Sequence, residues 1–235
     1  MTPIVLVHGA GLNASFWMYQ TDFFDDAVAV DLPGHGDSDG PAYSTITEYA
    51  GWLGDEVRRT GAEPVTLVGH SMGSLIALEA AARNPDMVAR LVLIGTAARM
   101  AVNTELLEAA KAHDASAAAM VIKWTLPNSS GYGRPKRWVL AMSDDFMNAA
   151  ESGIMANDLA ACDAYAESLA MAARIRCPAL LLLGENDKMT RPSAAQPLAA
   201  ALSDARIIVV DKVGHMLPLE KPAEVNDIIT LFLEG

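Results

Sequence analysis

The segment Val65-Thr66-Leu67-Val68-Gly69-His70-Ser71-Met72-Gly73 carries a β-branched and leucine-rich run directly into a G-x-S-x-G turn. Helical apolar positions follow at Leu75, Ile76, Leu78 and Ala82, and Asn84-Pro85 closes that helix. The strand and helix on either side constrain more than the pentapeptide does. A serine on a sharp strand-to-helix turn is held in strained backbone geometry, and glycines at 69 and 73 let neighbouring backbone approach closely. The turn pushes the hydroxyl into the open. The helix behind it points its N-terminus at the site, which favours negative charge developing there.

The rest of the chain supplies a sheet for such a turn. Continuous apolar runs recur at Ile4 to Val7, Ala27 to Asp31, Val65 to Val68, Leu91 to Ile94, Ala179 to Leu183 and Ile207 to Val210. Because they do not alternate, they predict strands buried on both faces, and helical spacing between several of them predicts crossovers. The fold class is therefore α/β, a mostly parallel sheet of about six strands. Thr47 to Arg59 reads as a helix capped by Thr45, with Tyr49, Trp52, Leu53 and Val57 on one side, and Ala223 to Leu233 as the last helix. Residues 97–173 break the pattern. They hold no convincing strand, only Ala, Met, Leu and acidic residues with loop signals at Pro127 to Gly133, and predict a helical insertion between core segments 1–96 and 174–235.

A formal net charge of -12, without clustered Lys or Arg, excludes a phosphate-backbone binder, so no nucleic acid partner is expected. The longest apolar stretches, such as Ala117 to Ile122, fall far short of the roughly 20 residues a membrane span needs. No basic leader precedes Pro3 to Val7, and Cys162 and Cys177 lack metal or redox spacing. These features predict a cytoplasmic protein with free thiols and no membrane association, acting as a monomer or homodimer. No G-x-G-x-x-G, phosphate loop or H-E-x-x-H is present, and neither a metal nor an organic cofactor is expected.

A serine hydroxyl becomes a useful nucleophile when a base takes its proton. Of five histidines, His8, His35 and His70 lie in turns near strands, and His113 lies on the insertion. His215 follows the last strand in Val213-Gly214-His215-Met216, in a loop position where parallel sheets gather functional residues, and completes the chain order Ser, Asp, His. The acid that orients it is expected between the two. Gly184-Glu185-Asn186-Asp187 follows the fifth strand and favours Asp187, whereas the fourth strand ends at Gly95-Thr96-Ala97 without a carboxylate. Asp211 is the alternative acid and is otherwise expected to hold the histidine loop. Backbone amides of Met72 and Ala10 are the expected oxyanion donors, with His8 pinning the turn that carries Ala10.

Together these motifs resemble the α/β-hydrolase fold, in its lidded esterase, enol-lactonase and carbon-carbon hydrolase branch. The resemblance runs from His8-Gly9 and Trp17 through Asp31-Leu32-Pro33-Gly34-His35-Gly36-Asp37-Ser38 to Gly69–Gly73, Gly184–Asp187 and Gly214-His215. It implies that residues 97–173 form a lid and that Trp17 is a buried support for the oxyanion loop. Such enzymes usually begin with an antiparallel hairpin before the His-Gly loop. This chain enters that strand almost directly, so the hairpin is expected to be missing and its sheet edge open.

The resulting expectation is a serine hydrolase that cleaves a carboxylic ester or lactone of a small-molecule substrate through an acyl-enzyme on Ser71. Carbon-carbon bond hydrolysis on the same triad and slow-turnover ligand binding for signalling are the alternatives. Gly11, Trp124 and Met216 are the expected substrate contacts. Met100, Met120, Met142, Met147, Met155 and Met171, with Trp124, Trp138 and Phe146, concentrate in the insertion. Some are expected to join Met72 and Met216 around an apolar pocket that prefers uncharged, moderately hydrophobic acyl groups.

Overall fold

In the computed structural model the described residues are 2–113, 115–125 and 137–235, the last stretch with side chains from Met142 onward. The loop signals at Pro127 to Gly133 and the side chain of Trp138 lie outside the described residues. The strands are β1 (Ile4–Val7), β2 (Ala27–Val30), β3 (Val65–His70), β4 (Val88–Ile94), β5 (Ala179–Gly184) and β6 (Ala205–Val210). The helices are α1 (Met18–Thr21), α2 (Ile46–Thr60), α3 (Met72–Arg83), α4 (Thr104–Lys111), α5 (Ala115–Thr125) and α6 (Arg137–Ser152). They continue as α7 (Ile154–Ala164), α8 (Ser168–Ala172), α9 (Pro192–Ala201), α10 (Leu217–Glu220) and α11 (Pro222–Glu234).

The strands form one parallel sheet in the order β2-β1-β3-β4-β5-β6. Successive strand residues face opposite ways. Val5, Val7, Leu67, Leu91, Leu93, Leu181 and Leu183 join the core beneath α2, α3, α8 and α9. Leu6, Val68, Val92, Ile94, Leu180 and Leu182 join the other core, with residues of α4–α7 and α11. Burial on both faces holds for β1, β3 and β5 and fails for the edge strands β2 and β6. Each edge strand has a neighbour on one side only, and Val28 and Val209 remain 59 % and 43 % exposed.

Local chemistry sets the helix ends. Thr45 caps α2 by accepting the Glu48 amide at 3.1 Å, and Gly61 ends it in a left-handed conformation at φ 66°. Helices α4–α7 pack against one another, whereas α8 packs against α3 and α9. The winding changes direction between β1 and β3, so the loops leaving their C-terminal ends diverge and open a crevice there.

Candidate active site

Ser71 stands at that crevice, between the end of β3 and the start of α3. Its backbone is at φ 53°, ψ -121°, a conformation that side-chain-bearing residues rarely adopt. The surroundings hold it there. Ser71 N donates to Ile94 O at 2.9 Å, while its carbonyl accepts Ser74 N at 2.8 Å and the Ser74 hydroxyl at 2.6 Å. A Cβ on Gly69 would lie 2.2 Å from Gly73 O, and one on Gly73 would lie 2.3 Å from Val7 O. Only glycine fits at either position.

His215 and Asp187 meet from separate loops. His215 Nδ1 lies 2.7 Å from Asp187 Oδ2 with both side chains buried. Oδ2 also accepts the Thr190 hydroxyl at 2.8 Å, and Oδ1 accepts the amides of Met189 and Thr190 at 2.8 and 2.9 Å. Burial alone would raise the carboxyl's pKa. The charge and hydrogen bond of His215, with the Thr190 contacts, outweigh it and hold Asp187 below the ordinary carboxylate range. Gly95 backs the imidazole, since a Cβ there would lie 3.1 Å from its Cε1.

The backbone around His215 is held at three points. Its carbonyl accepts His70 Nε2 at 2.9 Å, and its amide donates to Thr125 O, the last described residue of α5, at 3.1 Å. The third corrects a sequence expectation. Asp211 is exposed and does not hold the histidine loop; Glu220, buried in α10, accepts the amides of Gly214 at 3.1 Å and Met216 at 3.0 Å. A carboxylate at 220 reaches both flanks of His215 because α10 turns the chain back, whereas Asp211 precedes the turn. His70 is pushed down to about 3 by burial and by the neighbouring His215, so it stays neutral.

His8 pins the turn after β1: its Nε2 accepts the Leu32 amide at 3.1 Å and its Nδ1 donates to Gly9 O at 2.9 Å. Trp17 is fully buried and stands edge-on to His70, ring centroids 6.5 Å apart. Ser71, His215, Gly9 and Ala10 line one cavity of about 430 Å³, together with Trp124, Met216, Met100, Met155 and Phe146. Gly11 does not line it. Its amide donates to Asp158 Oδ2 at 2.9 Å. The Met72 side chain is likewise withdrawn into the core beneath α3, and Met120, Met142, Met147 and Met171 do not reach the cavity.

Sequence reasoning missed Thr190, Glu220 and Asp158. Thr190 carried a signal, an Asp-x-x-Thr spacing that lets one carboxylate collect the amide and hydroxyl three residues on. Asp158 is 147 residues from Gly11, and its partner is legible only in three dimensions. Among the described residues no helix is long and apolar enough to cross a membrane.

Residues 4–228 match the model of the Alpha/beta hydrolase family, and the chain belongs to that family. It is 28 % identical over 245 residues to an (E)-2-((N-methylformamido)methylene)succinate hydrolase of Acinetobacter baylyi, covering 99 % of this chain and 90 % of that one. A pimeloyl-[acyl-carrier protein] methyl ester esterase of Aromatoleum aromaticum is 30 % identical over 255 residues, covering 99 % and 98 %. Among solved structures, the enol-lactonase from Burkholderia xenovorans LB400 superposes with a TM-score of 0.89 at 24 % identity, over 100 % of this chain and 92 % of that one, and shows the fold. The thermophilic esterase from Thermogutta terrifontis, with malate bound, has a TM-score of 0.85 at 25 % identity, over 100 % and 90 %.

Proposed function

We propose that this chain is a cytoplasmic serine hydrolase that cleaves a carboxylic ester or lactone of a small, fairly apolar substrate. The observation that carries the reading is the buried 2.7 Å Asp187–His215 pair, opening with the strained Ser71 onto one cavity. Asp187 holds the proton of His215 on Nδ1, leaving Nε2 as the base. Ser71 Oγ gives its proton to Nε2 and bonds to the carbonyl carbon. The oxyanion is received by the amides of Ala10 and Met72, the latter at the N-terminus of α3. On collapse the carbon-oxygen bond breaks and the alcohol leaves with the proton from His215. Water repeats the path on the acyl-enzyme, releasing the acid and free Ser71. Within the insertion the described helices α4–α7 act as the lid, with Trp124 and Phe146 lining the cavity.

Intact-mass measurement after fluorophosphonate treatment, repeated on Ser71→Ala, tests the nucleophile, and an ester panel graded by acyl length tests the substrate class. Labelling that survives Ser71→Ala would remove Ser71 from the mechanism. A vinylogous diketone in the panel tests carbon-carbon hydrolysis, and a single turnover followed by persistent modification would favour the signalling alternative.

A specific observation favours a second reading of the substrate. Among the described residues the cavity lining contains no carboxylate but includes Lys188 and Arg191, both exposed and without an ion pair, in a chain of net charge -12. Cations at the rim suit a substrate that carries a carboxylate away from the scissile bond. The substrate named for the Acinetobacter relative is a succinate. Monomethyl adipate against methyl hexanoate separates the readings. The neutral ester should be faster if the pocket selects for apolarity alone. The charged one should be faster, and lose its advantage in Lys188→Ala/Arg191→Ala, if the rim selects for charge.

A further inference from the structure

Four donors converge on the carboxylate of Asp158, which is fully buried on α7. Oδ2 accepts the Gly11 amide at 2.9 Å and His35 Nε2 at 2.8 Å, while Oδ1 accepts the Tyr49 hydroxyl and Asn157 Nδ2, each at 3.3 Å. A buried carboxylate requires a counter-charge, and His35 supplies it. His35 Nδ1 lies 3.1 Å from the Pro33 carbonyl and Nε2 lies on the carboxylate. With Asp158 ionised, both of those oxygens accept, so both ring nitrogens carry protons and the ring is an imidazolium.

The other groups around the pair fit that assignment. Burial opposes the charge on His35, but the hydrogen bond and charge of Asp158 overcome it and hold His35 above the ordinary imidazole value. His8 faces it from the turn after β1, ring centroids 5.0 Å apart, and is pushed down to about 4 by burial and by the His35 cation. Tyr49 faces it from α2, its phenol pushed up by burial and Asp158, so it remains a neutral donor. Asp31, in the loop that carries His35, accepts the amides of Ala14 and Asp37 at 2.6 and 3.0 Å.

Gly11 is the residue after Ala10, and its neighbourhood is built from the helical segment. At φ 66°, a Cβ on Gly11 would lie 3.2 Å from Ala149 Cβ and 3.5 Å from Phe146 Cδ1, both on α6. Two residues on, Asn13 Nδ2 donates to Asp145 Oδ1 at 3.0 Å, also on α6.

We propose that Asp158, neutralised by His35, is a positioning residue for the oxyanion turn, so that the helical segment sets the geometry of the Ala10 amide as well as covering the cavity. Asp158 does not line the cavity. It fixes the Gly11 amide, and a turn anchored there presents the adjacent Ala10 amide to the carbonyl oxygen. The inference rests on the serine-hydrolase reading above. Loss of the anchor weakens transition-state stabilisation more than ground-state binding, which places the effect on kcat.

The test is ester turnover across neutral and alkaline pH, per active site titrated with fluorophosphonate for the parent, Asp158→Ala, Asp158→Asn and His35→Gln, and per mole of protein for Ser71→Ala. Removing an oxyanion donor outright costs about 100- to 1000-fold, so a displaced donor should cost roughly 10- to 100-fold in kcat, with KM within about threefold. The parent's kcat should fall at alkaline pH as His35 loses its proton. Asp158→Asn should bring that fall to lower pH, and His35→Gln should abolish it. A merely structural loss would change the titrated fraction and leave the pH profile in place. Parent-like kcat and pH profile in Asp158→Asn, or an alkaline fall that survives His35→Gln, overturns the positioning role, and both readings stand even if Asp158→Ala does not fold. An inactive Ser71→Ala beside parent-like Asp158 variants overturns this inference alone, whereas an active Ser71→Ala overturns the hydrolase reading beneath it.

Discussion

Asp187 meets His215 Nδ1 at 2.7 Å through the same oxygen that accepts the Thr190 hydroxyl, while its other oxygen takes the amides of Met189 and Thr190. Both carboxylate oxygens are therefore fixed by the loop that carries them. The acid cannot rotate without breaking several bonds, and the imidazole it holds inherits that rigidity.

Ser71→Ala should lower turnover by at least about a thousandfold while the fold survives, since removal of a triad member leaves only oxyanion stabilisation and binding. Asp187→Asn should be similarly impaired at every pH, because the amide holds the wrong imidazole tautomer. Steady-state kinetics on one activated ester check both. An active Asp187→Asn beside an inactive Asp211→Asn would transfer the role to Asp211.

The depressed pKa of Asp187 also sets an acid limb of stability. A carboxyl whose folded value lies below its unfolded value stabilises the fold above the unfolded value, and that contribution disappears as pH falls through the folded one. Melting temperature should therefore fall more steeply in the parent than in Asp187→Asn below about pH 4. Parallel curves would show that the carboxylate contributes nothing to acid stability.

Glu220→Ala leaves the amides of Gly214 and Met216 without their buried acceptor. The expected cost is about 1–3 kcal/mol in chemical denaturation, together with a fall in kcat from the loosened His215 loop. Asp211→Ala, at an exposed position, should change stability by no more than about 0.5 kcal/mol.

Two glycine substitutions should move in opposite directions. Gly51 is exposed within α2, and a Cβ there meets nothing within 4 Å, so Gly51→Ala should stabilise by about 0.4–1 kcal/mol. A Cβ on Gly73 would lie 2.3 Å from Val7 O, a backbone atom that cannot yield cheaply, so Gly73→Ala should destabilise by about 3 kcal/mol or more. Denaturation midpoints of the two variants check the pair.

Trp124 and Phe146 line the cavity from α5 and α6. Trp124→Ala should alter the ratio of kcat/KM between short and medium acyl esters, with the medium ester losing more. A ratio unchanged from the parent would place the indole outside the acyl path.

Much of the fold and of the candidate site was legible in the sequence because their signals are local. Strands announced themselves as apolar runs, Gly69 and Gly73 by the backbone crowding a sharp turn imposes, and the helix α2 by a Thr cap and an apolar face. Ser71, Asp187 and His215 could be chosen because a parallel sheet gathers the ends of its strands, so three loop positions read separately converge on one edge. Tertiary structure decided what depends on the distance between remote residues. It assigned the histidine loop to Glu220 rather than Asp211, withdrew the Met72 side chain from the cavity, and turned the Gly11 amide toward Asp158. It also exposed β2 and β6 despite their apolar runs. A local pattern specifies a residue's own backbone and the direction of its neighbours, whereas hydrogen-bond partners and edge positions are set by how separately formed elements dock.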